Sequence, residues 1–403
     1  MKHSLLVLNA GSSSIKFGVF VVDGEAALRV DCEGHIQGLG YHPTLQIVSP
    51  EGDVLHRQDW SAAVDHDAVL QPVLAWLDAR LAHRHPLAGA AHRVVHGGAK
   101  LTRPCRITPD ILDALRALIP LAPLHQPHHI TAIEAIARLH PDLPQVACFD
   151  TAFHQTQNNL ATAFAIPRRL SDQGIRRYGF HGLSYEYVTR ALPGLVGRTA
   201  AQGRLIIAHL GSGASLCAVA HGRSVATTMG FTALDGIPMS QRCGNIDPGV
   251  VLYLMQHDGM TIDQVAHLLY HDCGLKGVSG ISGDMHDLLD SPSADAAAAI
   301  DLFVYRIGRE IGSLTAALGG LDTLVFTAGI GEHSPVIRER VAAQAAWLGL
   351  RLDHAANRAS RVNRGAQCIS LPDSSVTAWV IPTHEDQMIA RHAAEVLGIR
   401  CFR

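Results

Sequence analysis

VLNAGSSSIKFGVF (residues 7–20) sets Asn, Gly, three serines and a lysine between two apolar runs. A plain hairpin needs only two turn residues, such as Asn-Gly. This turn is longer, is rich in small hydrogen-bond donors and ends in the cation Lys16. One reading is a backbone cradle for a tetrahedral anion; the other is an ordinary Ser-rich surface turn. IAHLGSGASLCAV (residues 207–219) repeats the order of strand, Gly-Ser turn and strand. HGRSVATT (residues 221–228) then adds a further turn and β-prone stretch, which makes a meander. Repetition of one unit predicts two similar halves, each opening with a hairpin.

The remainder of each half alternates strands with helices. Apolar periodicity predicts helices at 109–118, 130–139, 301–318 and 335–348, with an alanine-rich helix start at 294–299. Strands are expected at 91–95, 145–149, 323–327 and 379–381. Hairpins followed by βα alternation mean α/β halves with mixed sheets flanked by helices, and a cleft between the halves. The expected N-terminal domain is residues 1–150, joined by a returning C-terminal helix at 385–403. The C-terminal domain is expected at 151–384.

The 403 residues are 47% hydrophobic and 17% charged, with a net charge of −3. That composition builds two cores and argues against disorder. No basic block marks a nucleic-acid partner, and no apolar run has the length of a membrane span. The eight cysteines are scattered. With no signal-type segment, a cytoplasmic protein with reduced thiols is expected.

Several stretches carry chemistry. AAHRVVHGG (residues 90–98) puts Arg93 at a strand end before Gly-Gly, placed to grip a carboxylate or phosphate or to form a surface ion pair. PLAPLHQPHH (residues 120–129) fixes His125 between prolines. It lacks a carboxylate or cysteine at ligand spacing for zinc. QVACFDTAFHQT (residues 145–156) ends an apolar strand in Asp150, a position for a catalytic carboxylate or for a helix cap. RRYGFHGLSYEYV (residues 176–188) sets His181 between glycines, on shaped backbone that is a poor core position.

No Walker A sequence and no GxGxxG occurs, so a hairpin-type phosphate grip is the alternative. MGFTALDGIPMSQRCGNIDPG (residues 229–249) is a long aperiodic loop whose obvious anion contact is Arg242. SGISGDMHDL (residues 279–288) and VFTAGIGEHS (residues 325–334) are further Gly-rich turns, the second at a strand-to-helix junction. WVIPTHEDQMIA (residues 379–390) ends a strand and starts a helix, with Glu385 and Asp386 either a capping pair or a metal carboxylate. Backbone cradles, strand-end carboxylates, arginines and loop histidines form the inventory of phosphoryl transfer. A carboxylate acceptor is already ionised and needs charge neutralisation rather than a general base.

In order and spacing, NAGSSSIK, RVVHGG, APLHQP, CFDTAFH, RRYGFHG, HLGSGAS, MGFTALDG, FTAGIGE and VIPTHED resemble the acetate kinase family, from residue 7 to about 390. The resemblance implies two RNase H-like domains, within the superfamily of sugar kinases, Hsp70 and actin. It also implies a homodimer. The implied reaction is Mg2+-dependent (Mn2+ also serving) in-line transfer of the ATP γ-phosphoryl to acetate, giving acetyl phosphate and ADP, and its reverse.

Carried over by position, the resemblance puts Asn9 and Glu385 at the metal and Lys16 near the nucleotide phosphates. Arg93 and Arg242 then bind the carboxylate and the moving phosphoryl group. His125 and His181 stabilise the transition state, and Asp150 is the active-site carboxylate, positioning more than abstracting a proton. Val95, Leu124, Phe180 and Ala233 border the acyl methyl group. His209, Leu210, Gly211, Ser212 and Gly213 match one nucleotide turn. Asp284, Met285 and His286 match a second, and Gly329, Ile330, Gly331, Glu332 and His333 a third.

The family usually carries Asn at position 212, Arg at 286, Asn at 333 and Pro at 233. The first three bear on the donor and the fourth on the acyl pocket. A propionate or other short-chain acyl kinase, and a kinase with a donor other than ATP, are the alternatives. A nucleotide-binding regulator on the same fold calls for lost cations or an added DNA-binding segment. The cations are all present, and residues 1–6 are expected to leave no room for such a segment.

Overall fold

The opening stretch folds as β1 (His3–Ala10) and β2 (Ser14–Val22), antiparallel, with Val7 opposite Gly18 and Asn9 opposite Lys16. The Gly11 N–H donates to the Ser14 carbonyl at 2.8 Å across the turn. The computed structural model describes residues 2–11, 13–22, 28–82 and 84–399. Its first sheet continues with β3 (Leu28–Gln37), β4 (Thr44–Val48), β5 (Val54–Asp59), β6 (Leu87–Val94), β7 (Cys105–Arg106) and β8 (Gln145–Phe149). The second sheet holds β9 (Arg204–Leu210), β10 (Ala214–Ala220), β11 (Arg223–Thr227), β12 (Thr323–Thr327), β13 (Gln367–Cys368) and β14 (Thr377–Val380).

The sheet orders are β5-β4-β3-β2-β1-β6-β8-β7 and β11-β10-β9-β12-β14-β13. From β3 onward the first sheet matches the second strand for strand. Each has an antiparallel meander, two parallel neighbours and an antiparallel last strand. These are the duplicated mixed sheets that the repeated hairpin predicts, with β4 and β5 added at one edge. One compact unit is Met1–Ala152 with His384–Arg403, and the other is Phe153–Thr383.

Leu5, Leu6, Val7 and Leu8 of β1 are all buried, as in a central strand covered on both faces. Leu6 and Leu8 pack with Val69, Val73 and Leu77 of the helix His66–Leu81 and Ile136 of the helix Gln126–Leu139. The helix Glu385–Val396 packs on β1, β6 and β8. The tail of the expected 385–403 helix, residues 400–403, lies outside the described residues. In the second unit, Tyr185, Val188 and Leu192 of the helix Gly182–Val196 pack on Leu205, Ile207, Cys217 and Val219. The helix Ala294–Leu318 crosses β9, β10 and β11.

Several boundaries differ from the sequence expectation. The helix expected at 130–139 begins at Gln126, because Pro127 sits in its first turn, where a missing N–H costs nothing. The helix expected from 301 begins at Ala294, where the Ser293 hydroxyl accepts from the Asp295 N–H at 3.2 Å. The helix expected at 335–348 ends as α-helix at Gln344 and closes with a 3-10 turn.

Buried imidazoles tie this fold to pH. Burial pushes His92, His96 and His154 down to about 4 from an ordinary 6.5. Between those values the unfolded chain binds protons that the folded chain refuses, so stability rises with pH there. The contribution is fully present above pH ~6.5 and is lost as pH falls towards ~4, at up to ~1.4 kcal/mol per pH unit for each imidazole. Denaturant titrations from pH 7 to 4.5 should show that slope, and His92→Gln should flatten it.

Candidate active site

Parallel pairing of β6 and β8 sets Arg93 opposite Cys148, so Arg93 and Asp150 emerge together at the strands' carboxyl ends. That end is where open α/β sheets place their chemistry. Arg93 Nε donates to Asp150 Oδ1 at 3.0 Å and its Nη2 to Oδ2 at 2.7 Å. Asp150 is 1% exposed, and its own N–H donates to the Val94 carbonyl at 3.1 Å. Glu385 Oε2 lies 3.7 Å from Arg93 Nη1, in the first turn of its helix. Burial opposes the Arg93 charge, but Asp150 and Glu385 outweigh it and raise the guanidinium's pKa.

Around this pair, the Val95 N–H donates to His129 Nδ1 at 3.2 Å. Burial, then Arg93, holds His129 well below the ordinary imidazole range. Val95 is buried, Leu124 is exposed, and half-buried His125 precedes the helix Gln126–Leu139. Asn9 closes β1 beside β6, and Lys16 faces it across the hairpin. Lys16 lines a cavity of about 310 Å3 with Glu33, His35, Gln46 and Asp386, in the first unit.

In the second unit, His181 takes the left-handed backbone (φ 58°), rare for a residue with a Cβ, at the start of its helix. Its ring stacks on His209 with centroids 4.2 Å apart. Its Nδ1 lies 2.8 Å from Ser215 Oγ, which lies 2.5 Å from the Tyr185 hydroxyl. Arg242 Nη1 donates to the Ala233 carbonyl at 2.7 Å, which braces the long loop against itself. A Cβ on Gly213 would lie 3.0 Å from Arg242 Nη2 and 3.2 Å from His181 Nε2. Gly213 in the β9–β10 turn therefore lets both groups approach one spot. Gly213→Ala should push them apart, lowering kcat about tenfold while the melting temperature moves by only a degree or two; steady-state kinetics beside a thermal melt checks this. Phe180 is buried in this unit, and Ala233 lies in its loop.

The three nucleotide-type turns meet at a cavity of about 420 Å3. Of the expected residues, Gly211, Ser212, Asp284, Met285, His286, Gly329, Ile330 and His333 line it. His209, Leu210, Gly213, Gly331 and Glu332 are not in its wall. Leu210 alternates into the core and is fully buried. His209 Nδ1 meets Ser184 Oγ at 2.8 Å. The Glu332 carboxylate accepts from the N–H groups of Ala328 at 2.7 Å and Thr383 at 3.1 Å. It braces the turn, where Ala328 itself has φ 63°.

Sequence reasoning missed wall residues Ser240, Gly283, Leu289, Ser334, Pro335 and Val336. Leu289 carries a signal, lying four residues after Met285 on one helical face. It also missed Arg338, fully buried. Its Nη1 donates to the Gly331 carbonyl at 3.0 Å and the Glu332 carbonyl at 2.8 Å, and its Nε to Asn357 Oδ1 at 2.8 Å. Asn357 in turn donates to the Pro335 carbonyl at 2.8 Å. Burial lowers the Arg338 pKa to about 10, so it remains a cation at neutral pH.

A model of the acetokinase family matches residues 4–391. The acetate kinase of Rhodopseudomonas palustris is 55% identical over 393 residues, 97% of this chain and 98% of that relative. Among solved structures, Porphyromonas gingivalis acetate kinase matches with a TM-score of 0.88 at 33% identity, over 98% of this chain and 100% of that one. A propionate kinase from Francisella tularensis matches with a TM-score of 0.88 at 32% identity, over 97% and 98% of the two chains.

Proposed function

The chain belongs to the acetokinase family, and from that premise we propose that it is an acetate kinase, moving the γ-phosphoryl group of ATP reversibly to the carboxylate of acetate to give acetyl phosphate and ADP. The observation that carries this reading is the turn Gly211, Ser212, Gly213. Its first two residues wall the 420 Å3 cavity, while the third touches the spot that Arg242 and His181 share. A donor in the cavity would present its phosphates to that turn.

Met285, Leu289, Ile330, Pro335 and Val336 give the cavity apolar wall. Such wall suits a nucleoside base and serves no purpose for pyrophosphate, which favours ATP although Ser212, His286 and His333 depart from the usual residues. Arg93, held by Asp150, would take the acetate carboxylate. Arg242 and His181 would meet charge spreading over the equatorial oxygens, where preorganised donors count most. Acetate arrives ionised, so Asp150 orients Arg93 and need not take a proton.

The donor set fits Mg2+. Asn9 and Glu385 offer hard oxygen ligands, Asn9 on the strand beside Arg93 and Glu385 next to its guanidinium. Burial and the charge of Glu385 push Asp386 up to about 6, a crowding that a divalent ion relieves. Among the described residues no three His, Cys, Asp or Glu side chains close a cage. Mg2+ commonly binds through one or two carboxylates plus substrate phosphates. When bound, the ion would neutralise phosphate charge; Mn2+ offers the same chemistry.

Hydroxylamine trapping of acyl phosphate, with Mg2+, acetate and ATP, GTP or pyrophosphate, tests the reading. Strong product with ATP is expected. Product with pyrophosphate alone would overturn the donor, and none in any lane would overturn the activity. A propionate kinase is the second reading, favoured by Ala233 and by the likeness to the Francisella enzyme. One methylene is worth ~1–3 kcal/mol in an apolar pocket, so the ratio of kcat/KM for the two acids decides it.

We further propose a homodimer. The helix Pro248–Gln256 reads PGVVLYLMQ and buries none of its residues, with Leu252 and Tyr253 each 54% exposed. Such a surface calls for a covering partner. Leu252→Asp should halve the mass measured by light scattering at micromolar concentration. No helix among the described residues is long and apolar enough to cross a membrane. The scattered cysteines suit a reducing, cytoplasmic setting.

A further inference from the structure

We propose that Arg177 and Asp235 are a pair of positioning residues that clamp together the two segments bearing Phe180 and Ala233, and so set how long an acyl chain the site accepts. The inference rests on the acyl kinase reading for its substrate, but its evidence is a set of contacts within the second unit. Phe180 and Ala233 are the residues of that unit expected in the acyl wall. Phe180 follows Arg177 by three positions, and Ala233 precedes Asp235 by two.

The fork of Arg177 spans the gap between the segments. Its Nη2 donates to the Thr228 carbonyl at 2.9 Å, and its Nη1 lies 3.1 Å from Asp235 Oδ2. Asp235 Oδ1 accepts from the Gly236 N–H at 2.8 Å, so both carboxylate oxygens are in use. The Arg177 guanidinium also lies 5.6 Å from the centroid of the Phe164 ring, and the Arg177 N–H donates to the Thr162 carbonyl at 2.8 Å. One planar cation thus meets a ring, a carbonyl and a carboxylate together, a task for arginine rather than lysine. The two side chains are 25% and 27% exposed. Solvent therefore keeps the pair's energy modest, and its geometry is what counts.

The backbone joins the segments at Gly230, whose carbonyl accepts from the Tyr178 N–H at 2.9 Å and the Gly179 N–H at 3.3 Å. Ala233 lies midway round the turn that follows. The turn returns to Thr228 at Gly236, where a Cβ would lie 3.1 Å from the Thr228 backbone. Asp235 ties the returning limb to Arg177, and Arg242 Nη1 holds the Ala233 carbonyl. Gly230 leaves room for this arrangement. A Cβ there would overlap Asp235 Oδ2 and lie 3.3 Å from Arg177 Nη1. A pocket rejects an added methylene only where its wall cannot move aside. With the clamp intact the wall is fixed; with it broken the turn yields to a longer chain.

The test is kcat/KM for acetate, propionate and butyrate in the wild type, Arg177→Ala, Asp235→Ala, the double variant and Gly230→Ala. The last keeps both charges but displaces the carboxylate. The ratio between the best acid and its next longer homologue is expected to fall about five- to tenfold in each variant, with KM for ATP within about threefold. A loss of folded protein scales every acid alike and leaves that ratio unmoved, so the ratio reports position rather than stability. The double variant should match the singles, because the second loss has nothing left to break. An unchanged ratio in the single variants would overturn the clamp, and so would a double variant that multiplies their effects. If Arg177→Ala and Asp235→Ala do not fold, an unchanged ratio in Gly230→Ala overturns it equally. Saturation-transfer 1H NMR with each acid and no nucleotide repeats the comparison as binding. The same relaxed ratio in a protein that makes no acyl phosphate would sink the kinase reading and leave the clamp standing. Acids that do not bind at all would sink both.

Discussion

Arg242→Ala is expected to lower kcat about a thousandfold while KM for acetate changes by only a few fold. Its guanidinium is braced through Nη1 on the Ala233 carbonyl, and Nη2 reaches the spot beside Gly213 that His181 also addresses. A donor aimed at charge that develops only in the transition state contributes to kcat rather than to ground-state binding. Removing one such donor costs ~10²–10³, and an arginine serving a transferred phosphoryl group ~10³–10⁵. Arg242→Lys should recover little, because a point charge cannot hold the Ala233 carbonyl and reach the phosphoryl group with one planar fork. Steady-state kinetics decides the matter. A raised KM for acetate with kcat intact would move Arg242 out of the transition state and into acetate binding.

The second large effect falls on stability and turnover together. Asp150→Ala removes the carboxylate that Arg93 grips through Nε and Nη2. Breaking a buried pair leaves its partner's charge uncompensated, at ~3–5 kcal/mol. Glu385 remains 3.7 Å from Arg93 and solvent reaches part of the side chain, so about 3 kcal/mol is expected. In a unit of this size that is a fall in melting temperature of ~6–12 °C. Well below the new midpoint, kcat should still be down by more than about a hundredfold, because Arg93 has lost its aim. Asp150→Asn separates the two effects, keeping shape and one acceptor while losing charge. A folded, active Asp150→Ala protein would overturn the assignment.

The hairpin at residues 7–20 and its copy at 207–219 were legible because both are local, and their repetition carries the strand order of two sheets. Arg93 and Asp150 were legible as strand-end residues, and Glu385 as the start of the helix that follows a strand. The second layer was not. Ser215 meets His181 across 34 positions, and Arg338 meets Asn357 across 19; neither pairing leaves a periodicity to read. Glu332 was expected at the nucleotide, yet its carboxylate serves Ala328 and Thr383, since motif position does not tell which way a side chain turns. Strands β3–β5, on the outer side of the first sheet, also escaped. Half-exposed strands such as β5 carry mixed polarity, which weakens alternation as a signal.

Arg338 has a consequence for how a donor is received. The backbone from Gly331 to Pro335 hangs from a buried cation and its Asn357 partner. Ordering a flexible loop costs ~1–2 kcal/mol per residue. Here that entropy is given up once, when the chain folds, and not again at each encounter. The donor therefore meets a wall already in its final shape, and its arrival and departure need no refolding of the turn between catalytic cycles.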